Sequence, residues 1–417
     1  MNIKFLQHSR TIKISLLVAT AAFVISCNKD LPDATPIIYP PANNSAVTIG
    51  SAISSDTSYS FFKAAVTKAG LLAALSDSTK LFTVFLPNND AFRVSGIPSV
   101  TVVNSLPLTS LVPLIQYHII PGQQYLSTQV PSTFPDIQLP SYLTIGALPG
   151  TPIKLNTSAF PSTRTNGFWD NNIPVVQPDL KFSNGVVHLV AALVAPPSRI
   201  LKDSMYRDPR LNYFKAAIAR ADSGQTGLNK LDSLLGYAVT NMTVLAPSDA
   251  AFQTLIFGLA FQGYLNYLKS LGLVPNASDS ANAFAKANEA VMAGPIFLST
   301  NNVSTAEVAG IMAYHFLATD QGSGYQPNIR AFSVNFSPTP AFYPTLVNTV
   351  VPVSLQPGIM AKATFAGPFV TNLQFTGAGT FPPGGAPYSG AAATATSLDN
   401  HCVNGVYYVI DKVLLPQ

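Results

Sequence analysis

Four blocks of sequence occur twice along this chain in the same order, and that duplication constrains the fold more than any other feature. Phe61-Phe62-Lys63-Ala64-Ala65-Val66 returns as Tyr213-Phe214-Lys215-Ala216-Ala217-Ile218, with apolar residues at the spacing of an amphipathic helix. Asp56 and Asp208 stand just upstream as helix caps. Thr83-Val84-Phe85-Leu86-Pro87-Asn88-Asn89 returns as Thr243-Val244-Leu245-Ala246-Pro247-Ser248-Asp249. Each is an apolar strand ended by proline, followed by side-chain acceptors for the first amides of a helix. Tyr117-His118 returns as Tyr314-His315, each closing a helical apolar pattern. Asn184-Gly185 returns as Asn404-Gly405, where Asn-Gly is expected to turn the chain into a strand ending at Pro196 or Pro416.

The offset between copies grows from about 152 residues at the first block to about 220 at the last, so the second unit carries insertions. One falls near 253–303, rich in Ala and Asn. Another lies within 316–403, where the Gly/Pro-rich run Gly377–Ala386 reads as an exposed loop. The expectation is an α+β protein with a first domain over 51–197 and a second over 198–417.

Ahead of both copies lies an address. Lys4, Arg10 and Lys13 precede an apolar run that ends at Cys27, which makes a secretory signal too short to span a membrane. Val24-Ile25-Ser26-Cys27 resembles the bacterial lipobox, so residues 1–26 read as a lipoprotein signal peptide and Cys27 as the lipidated residue. Several acyl chains on one cysteine anchor stably. The proline-rich remainder of 27–50 reads as a flexible tether. Asn28 is unlike an inner-membrane retention signal, and Lys29-Asp30 resembles a surface-export tag. The expected location is therefore the outer membrane, facing the periplasm or the cell surface.

Charge excludes one large class of partner. The formal net charge is +4, three of it in the signal segment, so no basic stripe exists to neutralise phosphates and no nucleic-acid partner is expected. With Cys27 assigned to lipid, Cys402 is left as a small buried apolar side chain; neither a disulfide framework nor a thiol metal site can be built. None of His118, His188, His315 and His401 is spaced as a metal-binding pair. Nucleophile elbow, phosphate loop and dinucleotide fingerprint are all missing from the sequence, so no catalytic residue, cofactor or metal is expected. The segment with most binding character is Arg164–Asn172. There Phe168, Trp169 and Asp170 form a candidate glycan site, an aromatic face beside hydrogen-bonding side chains.

The boxes TVFLPNNDAF and TVLAPSDAAF, the closing boxes NGVVHLVAALVAPP and NGVYYVIDKVLLPQ, and the paired Tyr-His resemble the fasciclin (FAS1) family. The resemblance implies two tandem FAS1-like domains, each a small β-sandwich or wedge packed with several helices. It also implies extracellular adhesion or ligand binding without a shared catalytic centre. Because the family's Tyr-His segment is implicated in receptor binding in animal members, Tyr117, His118, Tyr314 and His315 become candidate partner-binding residues. The expected partner is an extracellular protein or glycan. The alternative is an accessory glycan-binding lipoprotein of an outer-membrane nutrient uptake system, working through the Trp169 segment. With Cys27→Ser, incorporation of labelled palmitate and retention in the membrane fraction should both disappear; label retained by the variant would exclude Cys27 as the acylated residue.

Overall fold

Apolar runs closed by proline become the central strands. The structure, a computed structural model, describes residues 46–147, 152, 154–299, 303–322 and 324–417, all within one compact unit. The signal segment, Cys27 and most of the tether lie outside the described residues. In the first half the strands are β1 (Phe82–Pro87), β2 (Ile119–Pro121), β3 (Leu139–Ala147), β4 (Lys154–Ala159), β5 (Pro161–Arg164), β6 (Gly167–Asp170), β7 (Ile173–Phe182) and β8 (Gly185–Val190). Six of them form one sheet in the order β2-β1-β8-β7-β6-β5, and β3 and β4 pair separately. β1 and β8 run parallel, from Phe82 opposite Gly185 to Pro87 opposite Val190. Both are buried along their whole length, which is why they read as unbroken apolar runs and not as alternating ones.

The second half repeats this plan. Its strands are β9 (Met242–Pro247), β10 (Thr319–Asp320), β11 (Tyr325–Gln326), β12 (Ala341–Tyr343), β13 (Ile359–Ala366), β14 (Phe369–Thr376), β15 (Ala393–Cys402) and β16 (Gly405–Ile410). The large sheet has the order β12-β13-β14-β15-β16-β9, with β16 parallel to β9 and Val244 opposite Tyr407, as Val84 stands opposite Val187. Helices flank both sheets, and the fold is α+β. The repeated blocks make the same bonds in each copy. Asn88 and Ser248 cap the helices after β1 and β9 by accepting from Ala91 and Ala251 amides. One residue on, Asn89 and Asp249 accept from the Phe61 and Tyr213 amides and so tie the two repeated helical blocks together.

Asn-Gly works differently from a simple turn signal. The hairpin loops are Ser183-Asn184 and Val403-Asn404, and each glycine already stands in the strand. A Cβ on Gly185 would lie 2.0 Å from the Phe82 carbonyl oxygen, and one on Gly405 would lie 2.3 Å from that of Met242; the parallel partner leaves no room for one. The asparagines, fully buried, hold three backbone groups each. Asn184 accepts from the Ile49 amide (2.8 Å) and donates to the carbonyls of Leu75 (2.8 Å) and Asp77 (3.1 Å). Asn404 accepts from Leu201 (2.7 Å) and donates to Leu235 (2.9 Å) and Tyr237 (3.1 Å).

The copies diverge after the proline. The helix Asn89–Val94 has 6 residues, whereas its counterpart Asp249–Ser270 has 22 and is followed by the helix Ala277–Met292. The second of these long helices buries Ala283, Ala287 and Ala290, small residues that allow close helix packing, so the stretch near 253–303 is largely a helical hairpin. Asn184→Ala and Asn404→Ala should each destabilise by roughly 2–4 kcal/mol, because three backbone groups lose their partner at once. Denaturant unfolding would show this, and a loss well under 1 kcal/mol at either position would mean that the anchor is redundant.

Candidate functional site

The Tyr-His pairs end the helices Leu108–Tyr117 and Thr305–Tyr314, and all four side chains are fully buried. His118 donates from Nδ1 to the Leu114 carbonyl (2.8 Å) and accepts at Nε2 from the Val194 amide (3.0 Å). His315 repeats this with Ile311 (2.7 Å) and Leu414 (3.0 Å). Each ring thus carries its proton on Nδ1, and burial pulls both pKa values down to about 4. Tyr117 donates to the Ser158 carbonyl and accepts from Asn171 Nδ2; Tyr314 donates to Gly358 and accepts from the Ala378 amide. The four candidate partner-binding residues stitch helix, sheet and closing segment of their own domains, and none of them reaches the surface.

The segment Arg164–Asn172, read from sequence as a binding loop, is largely a buried hairpin. Phe168, Trp169 and Asp170 lie in β6, between β5 and β7, because aromatic residues that alternate on a strand can enter two different cores. Trp169 is fully buried in a core built mainly by the second half, with Phe160, Leu245, Tyr314, Phe332 and Tyr408. Its indole N–H donates to the Pro368 carbonyl (3.1 Å). A sugar stacked on Trp169 would need a ring face that this core occupies. Phe168 meets the edge of His188, with ring centroids 5.3 Å apart. Asp170 is fully buried, and neither carboxyl oxygen has a hydrogen-bond partner among the described residues. Burial pushes its pKa up to about 8.

The hairpin is therefore part of a seam between the halves, and other groups join it. Asn172 donates to Asp399 (3.2 Å), which also accepts from the Ser333 amide and hydroxyl and from Tyr408. Asn335 donates to Ser162 (2.6 Å). The Arg330 guanidinium lies 4.2 Å from the Phe160 ring centroid. It donates to Asn241, to His401 Nε2 and to the carbonyls of Cys402 and Val403, and burial lowers its pKa to about 10. Sequence reading missed Arg330, Asn335 and Asp399, since none lies in a repeated block and no local pattern marks them.

Open surface is found elsewhere. A groove of about 790 Å³ runs along the helical insertion, lined by Leu259, Tyr264, Ala290, Phe297 and Ile311. A smaller cleft of about 240 Å³ lies on the seam between Phe134, Arg164 and Tyr343. Among the described residues, no cluster of His, Cys, Asp and Glu could hold a metal, and no helix is long and apolar enough to cross a membrane.

Residues 57–196 match the family model of the fasciclin domain. The second half repeats its strand register, its asparagine anchor and the bonds of its histidine. The first half carries a fasciclin domain, and the second half repeats its plan. The chain's relatives include Protein sll1483 of Synechocystis sp., 29% identical over 177 residues, which are 42% of this chain and 87% of that one. Uncharacterized protein sll1735 of the same organism is 29% identical over 137 residues, 33% of this chain and 88% of that one. Among solved structures, a FAS1 domain pair from the insect cell adhesion molecule Fasciclin I aligns with 85% of this chain and 95% of its own, at 14% identity and a TM-score of 0.31. At so low a score the assignment rests on the family match and on the chain's own duplication. If the seam couples the two halves, Trp169→Ala should cost about 3–5 kcal/mol and separate their unfolding into two transitions. A single unshifted transition in urea would refute the coupling.

Proposed function

We propose that this fasciclin-domain protein is a membrane-anchored, extracytoplasmic adhesion or ligand-binding lipoprotein, held through Cys27 and acting by surface contact without catalysis. Fasciclin domains are adhesion-related modules, which supports the contact role. The observation that carries the reading is the seam. Trp169, Asn172 and Phe160 of the first domain engage Pro368, Asp399 and Arg330 of the second, so two domains meet a partner as one body. Two contact surfaces already fixed relative to each other need no linker ordering when both engage, and weak contacts then add effectively.

The non-catalytic part of the proposal is supported by where the perturbed groups sit. His118, Asp170, His315 and Tyr314 all have displaced pKa values, yet each is closed inside packed protein and not in an open cleft. Attachment to the membrane rests on the sequence around Cys27, and the partner is an extracellular protein or glycan. Cells producing the native chain should adhere to an immobilised extracellular partner or to neighbouring cells, and purified 28–417 should compete. Adhesion unchanged by both Cys27→Ser and excess soluble protein would count against this function.

A further inference from the structure

Asp170 is the last residue of β6, one position beyond Trp169, in the hairpin that enters the second domain. Its carboxyl group is shut off from water on all sides, and neither oxygen is hydrogen-bonded among the described residues. Such a group is tolerated only while it is neutral, because an ionised carboxylate in that position has neither solvent nor partner.

The titratable and charged groups around it offer no relief. Tyr117 lies near enough to feel its charge, but the hydroxyl already donates to Ser158 and accepts from Asn171. Beyond Tyr117, on the second domain, stand His401, with ring centroids 6.3 Å apart, and Arg330. Arg330 directs its donors to Asn241, His401, Cys402 and Val403. Asp399, reached through Asn172, is itself an acid. On the first-domain side, His188 packs against Phe168 with its two nitrogens bonded to Asp179 and Tyr125, and Arg164 at the far end of β5 is paired with Asp136.

We infer that Asp170 is a protonation latch on the domain seam: neutral, it lets the β5–β6 hairpin seat Trp169 in the second domain; ionised, it drives the hairpin out and loosens the pair. The sign of the pH response follows from burial. The pKa rises from an ordinary carboxylate value to about 8 in the seated state. The seated state is therefore most favoured below about pH 4 and loses ground up to about pH 8, by up to tenfold per pH unit. His118 and His315, with depressed pKa values, act in the opposite direction: their contribution is present above about pH 6.5 and lost as the pH falls towards 4. Above about pH 6.5 the histidines no longer change their contribution, and the Asp170→Asn comparison separates Asp170 from Asp399, whose pKa burial also raises. The latch is independent of whether Cys27 carries lipid.

The protein contains its own reporter, since Trp169 is the single tryptophan of the chain. Emission of the mature protein, titrated from about pH 6.5 to about pH 9.5, should shift to the red and level off above about pH 8, while far-ultraviolet circular dichroism holds steady. Asp170→Asn should abolish that shift and raise Tm more at alkaline than at acid pH. Emission that stays constant in the native chain, or an identical transition in Asp170→Asn, overturns the latch. Should the variant fail to fold, hydrogen exchange of residues 161–172 in the unsubstituted protein, normalised for intrinsic rate, reads the same opening. Protection unchanged between about pH 7 and 9 would also overturn it.

Discussion

Each domain is closed by the parallel pairing of an early strand with its final one, β1 with β8 and β9 with β16. Strands so far apart in sequence cannot find each other through a local turn. The pairing demands apolar side chains on both faces, a glycine where the backbones approach most closely, and a polar anchor at the entrance that satisfies three backbone groups together. Asn184 and Asn404 supply that anchor in fully buried positions. The helices and remaining strands are arranged around this closure, and the histidines of the Tyr-His pairs complete it by fixing the chain just beyond the last strand, at Val194 and Leu414.

The seam obeys other rules. It combines an aromatic core with buried polar groups of unequal satisfaction: Arg330 and Asp399 are well supplied with partners, while Asp170 has none among the described residues. Buried polar groups of the first kind specify geometry; one of the second kind makes geometry conditional. Trp169, which fixes the seam, and Asp170, proposed to make it conditional, thus occupy neighbouring positions on one strand.

Much of the fold was legible because duplication tests each reading twice. Thr83-Val84 and Thr243-Val244 announced the same strand, and the caps at Asn88 and Ser248 the same helix start. Legibility failed where the information is not local. Phe168-Trp169-Asp170 reads as an exposed aromatic loop, since nothing within ten residues reveals that a second domain will cover it. Tyr117 and His118 stood out correctly as repeated polar positions, but repetition marked a structural stitch that each copy needs. Arg330 and Asp399 had no signal at all. Their partners lie on other strands or in the other domain, and only the assembled sheet brings them together.

Because the socket for Trp169 includes Tyr408, Ile410 and Leu414, the first domain depends on residues more than two hundred positions downstream. During synthesis, a chain that has completed β8 still displays a bare indole and the Phe160 ring until β16 has emerged. Loss of β16 would uncover greasy surface more than two hundred residues upstream, so the closing strand of the second domain also seals the first.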